Sequence, residues 1–372
     1  VYATLAMMAS GYEGGQTAVS VLRQINSAPV ISQLLKSNPT EIRRPADVDW
    51  GERYDEASTL LHNNKVVLAQ SKFESLRRSV PDEPAVLSGL LTCAIWRGDT
   101  DAQSQLLAKL STCEGLDFEQ RVRYRAMAAL VNPATPELSV EVTKFSADIE
   151  KVDEIEMAMT ADSRFVALPA DMLAGMRASE DEIAPRSGYQ ILDRDKPESL
   201  DALPPVDQVP EAIAVVFIYG KQTDREARIE VQDVRRENAD DVRGRITAVI
   251  GDAQLKEESG ESLPLLVACQ PPVAMIRFQA KPAEAEKLQA ELTAARMPQA
   301  IVSATLPILG GKSLSDLKGD DAKLLERTAV LRIIEQYDSI ASKGEGLIPQ
   351  VYALAGLEPL PPIQPTDSDI EA

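Results

Sequence analysis

Apolar residues recur along the first half of the chain at intervals of three and four. Val66, Ala69, Phe73 and Leu76 make one stripe, Leu87, Leu90, Leu91, Ala94 and Ile95 a second, and Tyr124, Met127, Ala128 and Val131 a third. That spacing lays one face of each helix against a core. Between the stripes stand turn-forming clusters: His62-Asn63-Asn64, Pro81-Asp82-Glu83-Pro84, Arg97-Gly98-Asp99 and Asn132-Pro133. Connections this short make successive helices antiparallel. The opening run from Val1 to Ala9 is apolar without a basic leader and reads as one more helix. Residues 1–182 are therefore expected to form an array of helical hairpins.

A linker is expected at 183–211, where Pro185, Pro197, Pro204, Pro205 and Pro210 stand among acidic residues. Beyond it the period changes. Ala212 to Tyr219 is a compact run rich in β-branched and aromatic residues, and Arg228 to Gln232 alternates; both read as strands joined by a hairpin loop at 220–226. Asn238 with Asp241 resembles a capping box, opening a helix with Val242, Ile246, Val249 and Ile250 on one face. Two further strands are expected near Leu265 to Cys269 and Val273 to Gln279. Pro282 then opens a helix whose inner face is Ala285, Leu288, Leu292 and Ala295. Ser313 with Asp316 forms a second capping box, ahead of a helix aligned on Val330, Ile333, Ile334, Tyr337 and Ile340. The expected fold class is α+β: helical hairpins at 1–182, then a smaller domain at 212–358 with a mainly antiparallel sheet, then a disordered acidic tail at 359–372.

Composition narrows the function. With 372 residues, 44% apolar and 26% charged, the chain has the profile of a soluble globular protein of two or three domains. Aromatics are 4%, so the cores rest on Leu, Ala, Val and Ile. Against 39 basic residues stand 58 acidic ones, a formal charge of −19. Such a surface repels phosphate backbones, which argues against nucleic-acid binding and favours a basic protein or peptide partner. No uncharged stretch approaches the ~18 residues of a membrane span. Cys93, Cys113 and Cys269 make no C-x-x-C pair and read as buried thiols in a reducing, cytoplasmic setting. Between Glu141 and Glu182 there are 11 acids and 4 bases, read as a solvated helical face.

Candidate chemistry is sparse. The single histidine, His62, sits in a helix–helix turn beside two asparagines. Gly310-Gly311-Lys312-Ser313 resembles the end of a phosphate loop, but Leu306 stands where that loop needs its first glycine; a glycine turn before a capped helix accounts for every residue. Neither a cofactor nor a metal is expected, and the chain is read as a non-enzyme. The densest polar constellation is the expected hairpin loop, with Lys221, Gln222, Thr223, Asp224, Arg225 and Arg228. Charged groups on a loop held by a rigid sheet suit an anion or acidic peptide. An enzyme using Asp224 and Arg225 is the alternative reading.

Trp50, Ala57, Ala69, Phe73 and Pro81 stand at offsets that resemble a tetratricopeptide unit, although Arg53 and Glu56 replace its usual large residues. With Tyr219 to Val231 and Leu306 to Ser313 added, the chain resembles uncharacterised bacterial proteins that join helical repeats to an α+β region. The resemblance implies a degenerate α-solenoid that binds a peptide or protein partner. Members of that group often carry an N-terminal SEC-C zinc motif; no such cysteine cluster occurs here, and the resemblance would place it upstream of Val1. The Gly-Gly-Lys-Ser segment and its helix are also similar to toxin-binding segments of bacterial antitoxins, which gives a third reading, a regulatory partner. The carboxylate clamp of peptide-binding repeats is not expected, because Ala57 and Leu61 hold two of its places.

Overall fold

The computed structural model describes residues 42–131, 137–175, 184–223, 225–260, 262–271, 274–276, 278–341 and 347–363. The fold is α+β. The chain divides into a helical unit, Val1–Leu138 with Leu306–Ala372, and a sheet-bearing unit, Ser139–Thr305. The second is thus an insertion within the first.

The helical unit contains α1 (Gly51–His62), α2 (Val66–Arg77), α3 (Pro84–Arg97), α4 (Thr100–Leu110) and α5 (Phe118–Val131). Each packs on its successor. Helix α3 is the centre: Ala85 through Leu91, Cys93 and Ala94 are all buried. Pro84 fills its first position and the Glu83 carboxylate accepts from the Ala85 amide. It ends at Gly98, whose φ of 67° lets the amides of Gly98 and Asp99 close back on the Ile95 and Ala94 carbonyls at 3.1 and 3.0 Å. Asp99 then caps α4 through the Ala102 amide at 3.0 Å. The Arg97-Gly98-Asp99 turn is therefore a stop and a start in three residues. Trp50, Ala57, Ala69 and Phe73 are buried between the first three helices, and Tyr54 bridges the Trp50 and Phe73 rings edge to face at 6.0 and 5.5 Å.

The chain returns to this unit at Leu306, where the Ile308 amide donates to the Glu137 carbonyl at 3.1 Å. Two later helices, whose labels follow those of the inserted unit, complete it: α11 (Leu324–Ala341) packs on α5, and α12 (Leu347–Ala355) packs on α11. Arg332 of α11 is fully buried and ties three segments: Nη1 lies 2.7 Å from the Glu335 carboxylate, Nη2 donates to the Pro361 carbonyl at 2.6 Å, and Glu119 of α5 stands at 3.5 Å.

In the inserted unit the order is β1 (Ser139–Val140), β2 (Val142–Asp148), α6 (Val152–Ala161), β3 (Phe165–Ala167), α7 (Ala170–Gly175), β4 (Ser187–Leu192), β5 (Ala212–Tyr219), β6 (Arg228–Arg235), α8 (Ala239–Ile250), β7 (Lys256–Ser259), β8 (Leu263–Pro264), α9 (Leu265–Ala268) and α10 (Pro282–Ser303). A six-stranded sheet runs β3-β4-β5-β6-β2-β7 with every pair antiparallel; β1 and β8 make a separate short ladder. One face carries Phe145, Ile191, Val216, Ile218, Ile229 and Val231 into a core closed by Ile155 and Met159 of α6 and Val242, Ile246 and Ile250 of α8. Alternation sends Phe217 to the other face, where Leu168 and Leu173 cover it.

Several expectations are corrected. The stretch 139–175, read as the end of the helical array, opens the sheet. A bulge between Thr143 and Phe145 breaks the alternation of β2, so no period of two shows in its sequence. The expected linker at 183–211 contains β4, and the loop after it is pinned: the Asp193 carboxylate accepts from the Glu211 amide at 2.8 Å, and Arg296 donates to the Val206 and Val209 carbonyls. The run expected as a strand at Leu265 to Cys269 is helix α9. Near 273–279, the described residues belong to no strand. Asn238 makes no side-chain cap bond on α8. Along α10, Leu292 is buried and Leu288 half-buried, but Ala285 and Ala295 are exposed. Ser313 and Asp316 do exchange bonds at 3.0 Å, yet they close a turn, and α11 starts only at Leu324. The expected helix at Val1–Ala9, the Asn132-Pro133 turn and the tail beyond 363 lie outside the described residues.

Candidate functional site

The loop singled out in the sequence joins β5 to β6 as expected, but its charges are spent on each other. Lys221 Nζ lies 2.8 Å from a Glu226 carboxylate oxygen, and the Gln222 amide donates to the Arg225 carbonyl at 2.8 Å. Thr223 and Arg225 are exposed; Asp224 lies outside the described residues. A loop closed on itself in this way presents no converging donors to an anion.

Arg228 is different, because it belongs to the sheet. Its guanidinium stacks 4.0 Å from the Tyr219 ring centroid, and Nε donates to Glu230 at 2.6 Å. Register sets Tyr219, Arg228 and Asp148 side by side across β5, β6 and β2, and sets Lys144 opposite Glu258 and Ser146 opposite Lys256. Lys144, Ser146, Asp148, Arg228, Glu230, Gln232, Lys256 and Glu258 line an open hollow of about 340 Å³ on the face that α6 and α8 leave bare. Three bases and three acids share it, so the hollow carries no net charge. It offers hydrogen bonds to a polar surface, with no preference for either sign.

The helical unit exposes the opposite kind of surface. Val67, Leu68, Ile95 and Trp96 are 71, 57, 44 and 58% exposed. Phe73 against Gly89 fixes the level at which α2 and α3 run past each other, and this puts the start of α2 beside the end of α3. All four residues therefore lie toward the same end of the pair. There Arg97 donates to Gln70 at 2.5 Å, and a narrow groove of about 150 Å³ continues along Glu74, Leu90, Ala94 and Leu106. A tryptophan more than half exposed, with three exposed aliphatic residues at the same level of the helix pair, is the kind of residue that anchors a binding surface.

The other sequence candidates have local explanations. His62 is exposed at the end of α1 with Nδ1 2.8 Å from the Ser58 carbonyl. Gly310 and Gly311, both at positive φ, turn the chain so that the Leu306 amide meets the Lys312 carbonyl at 3.0 Å. The amide and hydroxyl of Ser313 hold the Asp316 carboxyl below its usual range. Cys93, Cys113 and Cys269 are buried free thiols; burial pushes Cys93 up to about 11 and Cys269 up to about 12, which keeps them protonated. Among the described residues no group of His, Cys, Asp or Glu could hold a metal ion, and no helix is long and apolar enough to cross a membrane. Sequence reasoning missed Trp96; its signal was an aromatic residue outside the apolar stripe of α3, directly before the Arg-Gly-Asp turn. Set against known proteins, the chain matches no family model, no curated protein and no solved structure.

Proposed function

We propose that this is a protein-binding scaffold, whose helical unit is a degenerate tetratricopeptide-like solenoid that grips a protein or peptide partner in the cytoplasm. The observation that carries it is the exposure of four apolar residues, Val67, Leu68, Ile95 and Trp96, toward one end of the α2–α3 pair. Burying ~250 Å² of such surface stabilises a complex by about 6 kcal/mol before the costs of association. Two features support the repeat reading: Trp50, Ala57, Ala69 and Phe73 fill the interfaces of the first three helices, and the Gly98 turn repeats the hairpin geometry. The net charge of −19 steers a partner with basic residues around its apolar anchor. Kinship with the SEC-C group of helical-repeat proteins belongs to this same reading.

The test uses the full chain as bait beside a Leu68→Ser, Trp96→Ser variant, with partners identified by mass spectrometry. A partner held by the parent and lost from the variant, at unchanged stability of the bait, supports the reading. Equal capture by both, or by neither, refutes it.

A further inference from the structure

Two hollows in the inserted unit, of about 320 and 350 Å³, share Arg235, Cys269 and Ala300 as walls. They form one cleft between the end of β6 and the second half of α10. The geometry points to a binding site for a small monocarboxylate with a short apolar stem, its carboxylate held by Arg235.

Arg235 is the reason. Its side chain is only 19% exposed, yet among the described residues it makes no hydrogen bond; the nearest carboxylate is Glu237, 3.6 Å from Nη1 and itself 64% exposed. Arg296, in the same cleft, shows what a satisfied guanidinium looks like here: it meets Glu211 at 2.9 Å and two backbone carbonyls at 2.9 and 2.8 Å. A half-buried guanidinium whose donors face the open cleft without a protein acceptor is ready for one, and a carboxylate matches its fork with two parallel bonds. Val140, Ala268, Ala300 and Ala304 supply an apolar wall of the first hollow, beside Ser303 and Thr305, and that wall suits a hydrocarbon stem. At ~30 Å³ per water-sized volume, that hollow takes about ten non-hydrogen atoms. Charge limits the ligand to a monoanion, because Arg235 and the exposed Arg236 face Glu141 and Glu237. The Cys269 thiol, raised by burial, stays neutral and adds no competing charge.

The probes are hexanoate, acetate and hexylamine, each titrated against the full chain by saturation-transfer NMR and thermal shift. Hexanoate is expected to bind and raise Tm, acetate to bind about tenfold more weakly or less, and hexylamine to leave the protein unchanged. Arg235→Gln is expected to weaken hexanoate by about tenfold or more, through loss of a charge-assisted pair. Ala300→Leu, which fills the cleft without touching the charge, is expected to abolish binding. The proposal is overturned by failure of hexanoate to bind, by equal binding of hexylamine, or by an Arg235→Gln protein that binds hexanoate undiminished. Acetate binding as well as hexanoate overturns the apolar stem. Should Arg235→Gln not fold, the contrast of hexanoate with hexylamine on the unmodified chain still decides.

Discussion

Gly89→Ala tests the packing of the helical unit through the sign of its effect. In the middle of a helix, replacing glycine by alanine normally stabilises by about 1 kcal/mol, because the unfolded chain loses freedom and the helix gains a better former. At Gly89 the added Cβ would stand 2.5, 2.7 and 2.8 Å from three carbons of the Phe73 ring. Ordinary carbon contacts are ~3.5–4.0 Å, so the ring would have to retreat by about 1 Å. It has nowhere to go: Phe73 is 1% exposed and its far edge meets Tyr54, which in turn meets Trp50. Overpacking of this kind costs about 1–3 kcal/mol, and with the ring held on both sides the upper part of that range applies, so after the propensity gain the net result is a loss of about 1–2 kcal/mol. Urea unfolding followed by tryptophan fluorescence reads it cleanly, since both tryptophans of the chain, Trp50 and Trp96, belong to the helical unit. With m near 1–3 kcal/mol/M the midpoint should fall by roughly half to one molar. In a Phe73→Leu background the clash is gone, and Gly89→Ala should become neutral or stabilising. A midpoint that rises in the parent background would refute the reasoning.

Three other outcomes are expected. Arg332→Met should destabilise the helical unit by about 1–3 kcal/mol, because it leaves the Pro361 carbonyl and the half-buried Glu119 and Glu335 carboxylates without the cation they share; limited proteolysis should find the segment 356–363 newly cleavable, and intact protection would count against the tie. Cys93 has a folded pKa of about 11 against an ordinary 9.0, so the native state holds its proton longer than the unfolded state. Its contribution is intact below pH 9 and is lost as pH rises toward 11, by up to ~1.4 kcal/mol per pH unit, and Cys93→Ala should flatten that part of the fluorescence-monitored stability curve relative to the parent. Excision of 139–305, with Leu138 joined to Leu306 by a short Gly-Ser linker, should leave a cooperative urea transition of the tryptophans; a broad, non-cooperative trace would show that the helical unit cannot close on its own.

What could be read from the sequence was whatever a short window contains. The stripes of α2 and α5, that of α3 except for the exposed Ile95, the Gly98 stop, the Asp99 cap and the β5–β6 hairpin all follow from neighbours within a few turns or strand pairs. Strand β2 escaped because its bulge puts Val142, Phe145 and Ala147 inside at uneven spacing. Strand β4 escaped because its flanking prolines dominate the local signal, while its place in the sheet depends on β3 and β5. The candidate sites divide in the same way. Arg228 was found because it sits beside a recognisable loop, but its role comes from Tyr219 and Asp148 across the ladder and from Glu230 two residues along its own strand. Arg235 was invisible, because nothing local distinguishes an arginine whose partners are missing from one whose partners are distant in sequence.

The deepest misreading concerned order along the chain, and its physical origin bears on function. A helical array followed by a sheet domain is the simplest parse when each segment is judged alone. The bond between the Ile308 amide and the Glu137 carbonyl shows why it fails: the two ends of the inserted unit meet, reinforced by the Arg125–Glu137 ion pair. Ends this close let a whole domain interrupt another without stretching either, because the host sees only a loop of short span whose closure cost grows slowly with its length. The host can therefore keep α5 against α11 through Arg332 and Glu119 whatever occupies the loop. Each unit then carries a surface of its own kind, exposed apolar residues on the helices and an arginine-bearing cleft beside the sheet.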